Sequence, residues 1–214
     1  MKIVSLISIL LVGFSFITFS QTVTIGSQVW MNKNLDVSTF RNGDPINQVK
    51  SNEEWGKAEN EGVPAWCYYE NKKKKNNKYG KLYNWYAVND PRGLAPVGYH
   101  LPSDTELWQL SEYLSPGEEG ANAGKKMKST NGWQLIEGKD GNGTNESGFN
   151  GLPGGFRTNG GFFHNQGDNG YWWSATEASY MSASTFELLN RYDYSFNIGN
   201  YRKGGGLSVR CIKD

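Results

Sequence analysis

Residues 78–114 constrain the fold more than any other part of the chain, because they hold two aromatic-rich, helix-like runs joined by a crossing that contains glycine and proline. The second run opens with Ser103 and Glu106, whose side chains can satisfy each other's backbone amides in a capping box. Its apolar residues are Leu107, Trp108, Leu110 and Leu114. Their spacing predicts an amphipathic helix that buries this stripe and ends at Pro116-Gly117.

The first 20 residues have the composition of a secretion signal. Lys2 supplies the positive start, residues 3–19 are largely apolar, and Thr18 and Ser20 are small enough for the −3 and −1 cleavage positions. A membrane anchor is the alternative, but the run is short for a span and no positive flank follows it. The sequence therefore predicts a protein exported to the periplasm, the cell surface or the medium, with a mature chain starting near Gln21.

Residues 21–214 are predicted to form one domain with a substantial core. Without Lys2, 21 of the 22 basic residues remain to balance 21 acidic ones, so neither nucleic acid nor an anionic membrane is an expected partner. The mature chain holds no second long apolar run, and hence no predicted membrane span. Its oligomeric state is left open.

Cys67 and Cys211 are the two cysteines of the chain. In an exported protein, two thiols most simply form one disulfide. A loop of this length gives about 4 to 5 kcal/mol in the chain-entropy treatment, before strain. Two free thiols are the alternative.

Periodicity and turn residues predict a hairpin over residues 22–31, with the turn at Gly26-Ser27. Further predicted strands lie at residues 64–70, 171–176, 184–189, 192–198 and 207–211, short helices at 51–61 and 121–128, and loops at 72–75 and 138–148. Short antiparallel strands, two main helices, long loops and no βαβ rhythm predict an α+β domain.

Six segments carry a family resemblance: TVTIGSQVWMNKNLDVSTFRNGDPI, AWCYY, YGKLYNWYAVNDPRGLAPVGYHLPSD, TNESGFNGLPGGFR, GYWWSAT and GLSVRCIKD. In this order they resemble the Fibrobacter succinogenes major paralogous domain, a family of exported bacterial proteins often found at the cell surface. The resemblance covers essentially all of residues 21–214 and implies no particular biochemical activity.

A more distant resemblance is to the sulfatase-modifying domain. Residues 100–104 (HLPSD) with the capped helix, and residues 206–210 (GLSVR), are similar to parts of that domain. The likeness implies a single C-type-lectin-like α+β domain.

Catalysis of the sulfatase-modifying kind uses a cysteine pair or a histidine cluster on iron. His100 and His164 are too few for a three-histidine metal site, and the cysteine chemistry would need a reactive free Cys67 or Cys211. His100, ahead of the capped helix, is expected to be structural. The chain lacks a G-x-S-x-G elbow, a phosphate loop and an H-E-x-x-H motif.

Calcium is the one cofactor that the residues suggest. Asp140, Asn142, Thr144 and Glu146 alternate through a glycine-rich loop and offer hard oxygen ligands. An EF-hand would need glutamate where Gly151 stands. An ordinary surface loop is therefore the preferred interpretation.

Four aromatic residues are candidates for a sugar-stacking platform: Trp133, Tyr171, Trp172 and Trp173. In a strand, Trp172 and Trp173 must point to opposite faces, so one of them is expected in the core. The preferred interpretation is that all four are packing residues in an aromatic-rich core.

Together these observations favour an exported, non-catalytic binding or surface-interaction module, with a glycan or another surface protein as its partner. The alternatives are an oxidoreductase similar to the sulfatase-modifying enzymes and a structural component of the cell envelope.

Overall fold

The computed structural model describes residues 22–117, 122–135, 137–190 and 196–214, so the predicted signal segment lies outside the described residues. The strands are β1 (Thr22–Ile25), β2 (Gln28–Met31), β3 (Asn47–Gln48), β4 (Ala65–Cys67), β5 (Leu82–Tyr83), β6 (Tyr99–His100), β7 (Gly154–Arg157), β8 (Phe163–Gln166), β9 (Gly170–Glu177), β10 (Ser182–Leu188), β11 (Phe196–Arg202) and β12 (Ile212–Lys213). The helices are α1 (Asn52–Glu61), α2 (Lys73–Asn76), α3 (Trp85–Val88), α4 (Asp104–Leu114) and α5 (Ala123–Met127). None of these helices is long and apolar enough to cross a bilayer.

The strands form three sheets, in the orders β1-β2-β12-β6, β11-β10-β9-β7-β8 and β3-β4-β5. Neighbouring strands are antiparallel except for the β3–β4 and β7–β9 pairs. The predicted α+β class is thereby confirmed, with mostly antiparallel strands and short helices.

The first hairpin forms as predicted. Ile25 pairs with Gln28 around the two-residue turn, and Gly26 has φ +61°, a left-handed conformation that glycine adopts without strain. A Cβ atom at Gly26 would lie 3.0 Å from the ring of Tyr113, so the bare glycine also lets helix α4 approach the turn.

Helix α4 begins with the predicted capping box. The Ser103 Oγ accepts from the Glu106 amide, and the Glu106 carboxylate accepts from the Ser103 amide at 2.8 Å. Its buried stripe comprises Leu107, Leu110, Ser111 and Leu114. The prediction that Trp108 belongs to this buried stripe is wrong. Its side chain is 54% exposed and lies on the side of the helix away from the stripe.

The first helix-like run of residues 78–114 is shorter than predicted. Asn84 caps helix α3, but the helix makes only one turn before Asn89. The reason is Pro91, which disfavours helical backbone in the residue before it.

Two further predictions need correction. The predicted lysine loop at 72–75 contains the one-turn helix α2. The predicted last strand at 207–211 is extended, but its residues make only isolated bridges, and the regular strand is β12. Residues 192–195 of another predicted strand lie outside the described residues.

The five-stranded sheet is covered on both faces. Trp173 belongs to one core cluster together with Tyr83, Trp85 and Val209. Trp172, pointing the other way, belongs to a second cluster with Phe149 and Phe186. The predicted alternation is therefore confirmed, but both tryptophans are fully buried.

The predicted Cys67–Cys211 disulfide is absent, and both cysteines are buried free thiols. Strand β4 explains why. Trp66 packs in the cluster that contains Cys211, whereas Cys67, the next residue, packs in a third cluster with Trp55. Because successive side chains of a strand point to opposite faces, the β3-β4-β5 sheet lies between the two sulfurs.

We expect thiol titration to find two free thiols in unreduced protein unfolded in urea, and none that reacts rapidly in the native protein, because both sulfurs are buried. The measurement is colour development with a disulfide reagent, with and without urea. A protein without titratable thiol until it is reduced would contradict the arrangement of β4.

We expect Ser103→Ala to lower the free energy of unfolding by about 1 kcal/mol, because the helix loses its side-chain cap. Urea unfolding measures this change. Thr105→Ala is the matched control, since Thr105 is exposed on the same turn, outside the capping box, and alanine favours helix. An equal loss in both variants would show that the cap is not the cause.

Candidate functional site

A groove of about 630 Å³ lies between helix α4 and the β1–β2 turn, and we call it the α4 groove. Its lining consists of turn residues 25–28 together with Thr105, Trp108, Gln109, Glu112, Tyr113 and Pro116. Thr105, Trp108, Gln109 and Glu112 follow the three- and four-residue spacing of one helix face, away from the buried stripe. The helix therefore buries one face and presents another to the hairpin.

Two aromatic rings stand exposed in this groove. Trp108 is 54% exposed and Tyr113 is 61% exposed, while the Tyr113 ring lies against Gly26. Large aromatic side chains on a surface offer flat apolar area that water solvates poorly. The groove thus has two ready stacking surfaces on one wall.

Amide groups hold the two walls together. The Nε2 of Gln28 donates to the Glu106 carbonyl at 2.9 Å and to the Gln109 Oε1 at 3.4 Å. The Oε1 of Gln28 accepts from the indole of Trp30 at 3.0 Å. Because Trp30 is fully buried, the core fixes the orientation of this amide.

The lining carries little charge. Glu112 is its ionisable carboxylate, and one of its oxygens accepts from the Gly117 amide at 3.0 Å. No lysine or arginine is among the described residues that line the groove. Such a surface suits a neutral ligand better than an anion.

His100 stabilises the start of helix α4 because each of its ring nitrogens contacts a carboxylate. Its Nδ1 lies 2.8 Å from Asp214 and its Nε2 lies 2.8 Å from Glu106. Partial burial opposes protonation, but the two carboxylates together raise the pKa of His100 above 6.5. Burial would raise the pKa of Glu106, but its bonds from Ser103 and His100 lower it. The arrangement agrees with the structural role expected for His100.

The predicted aromatic platform does not form. Trp133, Trp172 and Trp173 are all buried, and the Trp133 indole donates to the Gly151 carbonyl at 3.2 Å. Tyr171 is half-buried and is the one member of the four that reaches the surface. Trp172 and Trp173 are core residues because both faces of the sheet that carries them are covered, and Trp133, in a loop, packs in the same cluster as Trp172.

The loop that holds the calcium candidates uses its polar groups internally. Asp140 accepts from the Asn142 amide at 2.9 Å, and Asn142 in turn accepts from the Trp133 amide at 3.1 Å. Thr144 faces the Lys125 carbonyl, and Glu146 is exposed. In the described parts of the chain, no group of three or more acidic, histidine or cysteine side chains is placed to hold a metal. These contacts are those of an ordinary surface loop.

The two thiols are poorly suited to catalysis. Burial raises the pKa of Cys67 to about 12, although the positive charge of Arg157 opposes the shift. Burial likewise raises the pKa of Cys211 to about 12. A nucleophilic or metal-binding cysteine reacts as the thiolate, which is scarce at neutral pH with such a pKa.

The model of the Fibrobacter succinogenes major domain matches residues 23–213, which include both walls of the α4 groove. The chain belongs to this family. No curated protein and no solved structure matches it. Membership in the Fibrobacter succinogenes major domain family confirms the resemblance seen in the sequence, whereas the C-type-lectin-like fold stays a prediction.

Trp108 and Tyr113 are the site residues that the sequence interpretation missed. Trp108 was assigned to the inward stripe because it is adjacent to Leu107. Its neighbours at helical spacing, Thr105 and Glu112, are polar, which indicates the outer face. The sequence of this family member contains that signal. It does not show that the first hairpin lies opposite this face of helix α4.

We expect His100 to make stability depend on pH. The folded-state pKa is raised, so the protonated ring stabilises the fold below its ordinary pKa of 6.5, and this contribution is lost as the pH rises through the folded-state value. Urea unfolding of the unmodified protein and of His100→Gln, at about pH 6 and about pH 8.5, measures it. The difference between the two proteins should shrink at the higher pH; an unchanged difference would contradict the ion pairing.

Proposed function

We propose that this protein is an exported, non-catalytic binding module that holds a neutral glycan in the α4 groove. The observation that carries the proposal is the pair of exposed rings, Trp108 and Tyr113, on one wall of a groove whose described lining holds no lysine or arginine. Export is supported by the composition of residues 1–20.

The chemistry of the groove matches that of a sugar. A pyranose has an apolar C–H face, which packs on an indole or phenol ring, and a rim of hydroxyl groups, which needs hydrogen-bonding partners. Gln109, Glu112 and Ser27 offer amide, carboxylate and hydroxyl groups beside the rings. Aromatic surfaces bordered by oriented polar groups are typical of ligand sites.

Catalysis by a cysteine is the less favoured alternative, because burial and the raised pKa values of Cys67 and Cys211 oppose thiolate formation. The C-type-lectin-like resemblance of residues 100–104 and 206–210 points to binding as well. A purely structural role in the cell envelope is an outcome that the experiment below distinguishes.

We expect the purified protein to retain a subset of neutral oligosaccharides on a glycan array, and Trp108→Ala to weaken that binding roughly tenfold by removing the stacking surface. Titration of the best neutral oligosaccharide, followed by tryptophan fluorescence and calorimetry, gives the affinities.

Phe162→Ala is the matched control, because Phe162 is 62% exposed and lies outside the groove. Its affinity should equal that of the unmodified protein. Binding that survives in Trp108→Ala would place the glycan elsewhere. If the protein retains no neutral glycan and instead assembles with a protein partner, the proposal is overturned in favour of a structural role in the cell envelope.

A further inference from the structure

One face of the five-stranded sheet carries a row of side chains with one member from each strand, and we call it the cross-strand row. Its members, in the order of the strands, are Asn197, Glu187, Tyr171, Phe156 and His164. Glu187 pairs directly with Asn197 on one side and Tyr171 on the other, and Phe156 pairs with His164. Pairing of Gly155 with Gly170 sets Phe156 beside Tyr171. All five side chains are half-buried or exposed.

The centre of the row is a set of rings in mutual contact. The ring of Phe156 lies 4.9 Å from that of Tyr171, 5.3 Å from that of Tyr201 and 5.7 Å from that of His164, centroid to centroid. The Tyr171 hydroxyl accepts from the side-chain amides of Asn165 and Asn169 at 2.8 and 2.9 Å. The rings are therefore held in place before any ligand arrives.

Next to the rings lies the Glu187 carboxylate, which has no countercharge among the described residues. Within that part of the chain its oxygens accept from the side chains of Thr185 and Asn197 alone, both at the limiting distance of 3.5 Å. In the described part of the chain, no lysine, arginine or histidine lies within ion-pair distance of Glu187. Burial raises the pKa of this carboxyl. A half-buried charge with such weak partners is costly and gains from a cation.

Gly199 makes room for this carboxylate. A Cβ atom at Gly199 would stand 3.2 Å from the Glu187 Oε1, tighter than most real contacts. The absent side chain thus lets the carboxylate lie over strand β11 at the border of the rings.

Asp168, which also acts on Tyr171, carries a charge of the same sign as Glu187. Burial is the main cause of the raised pKa of Tyr171, and the negative charges of Glu187 and Asp168 add to it. Arg202, on the same sheet, pairs with Glu59 at 3.2 Å. This part of the surface therefore complements a positive ligand.

From this geometry we infer that the cross-strand row is a docking site for an arginine side chain of a partner protein. The guanidinium pairs with the Glu187 carboxylate, and its flat face lies against the ring of Tyr171. Arginine fits better than lysine because a planar, weakly hydrated guanidinium can stack on a ring and hydrogen-bond a carboxylate at the same time. The site is separate from the α4 groove and does not depend on the proposed glycan.

The test is an NMR titration of the full-length, ¹⁵N-labelled protein with an acetylated, amidated Gly-Arg-Gly peptide and with its citrulline counterpart. Citrulline keeps the shape of arginine and lacks its charge. We expect the arginine peptide to shift amide signals of β9, β10 and β11 saturably, and the citrulline peptide to bind about tenfold more weakly or worse.

Glu187→Gln should weaken the binding of the arginine peptide by a similar factor of about ten, because the substitution removes the charge and keeps the shape of the side chain. This variant should fold at least as stably as the unmodified protein, since a desolvated charge is lost; thermal unfolding checks this. Glu112→Gln, in the α4 groove, is the control and should leave the titration unchanged.

Equal binding of the two peptides, or an undiminished titration in Glu187→Gln, would overturn the inference. Shifts confined to helix α4 and the β1–β2 turn would overturn it as well, because the peptide would then occupy the groove. The first two results leave the proposed glycan site untouched, so the two proposals can fail independently.

Discussion

The segment 206–212 near the end of the chain holds the three sheets together. The backbone of residues 206–208 bonds to Arg157 of β7, to Tyr83 of β5, and to Tyr171 and Trp173 of β9. The carbonyls of Val209 and Cys211 then accept from the amides of Leu35 and Met31. Gly206, Leu207 and Ser208 pair with three different strands, so this part of the segment is extended without belonging to a regular ladder. Because buried backbone groups must find partners, displacing this segment would leave donors and acceptors unsatisfied in every sheet.

Two buried arginines strengthen these junctions. Arg210 donates to the Asn34 side chain and the Phe149 carbonyl, and its guanidinium lies 4.2 Å from the centre of the Phe149 ring. Arg157 lies 4.4 Å from the centre of the Trp55 ring. It donates to the backbone carbonyls of Val49, Lys50 and Ser51. Neither has a carboxylate partner among the described residues. Burial lowers the pKa of Arg210 to about 9, which still leaves it charged at neutral pH. Carbonyl oxygens and ring faces solvate both charges, which fixes the loops that supply them.

This construction determines which surfaces are left for function. Covering both faces of the five-stranded sheet buries Trp172 and Trp173, whereas Tyr171 and Glu187 in the cross-strand row still reach solvent. Helix α4 buries its leucines and leaves Trp108 outside, opposite the first hairpin. The packing of the core therefore determines which side chains form both candidate surfaces.

The local elements and the family membership follow from sequence patterns alone. The capping box at Ser103, the Gly26 turn and the alternation of Trp172 and Trp173 depend on contacts between residues close in the chain, and all were predicted correctly. The tertiary structure alone decided what covers each face. It separated Cys67 from Cys211 by a sheet, buried the tryptophans and turned Trp108 outward, because such burial depends on elements far apart in sequence that no local pattern brings together.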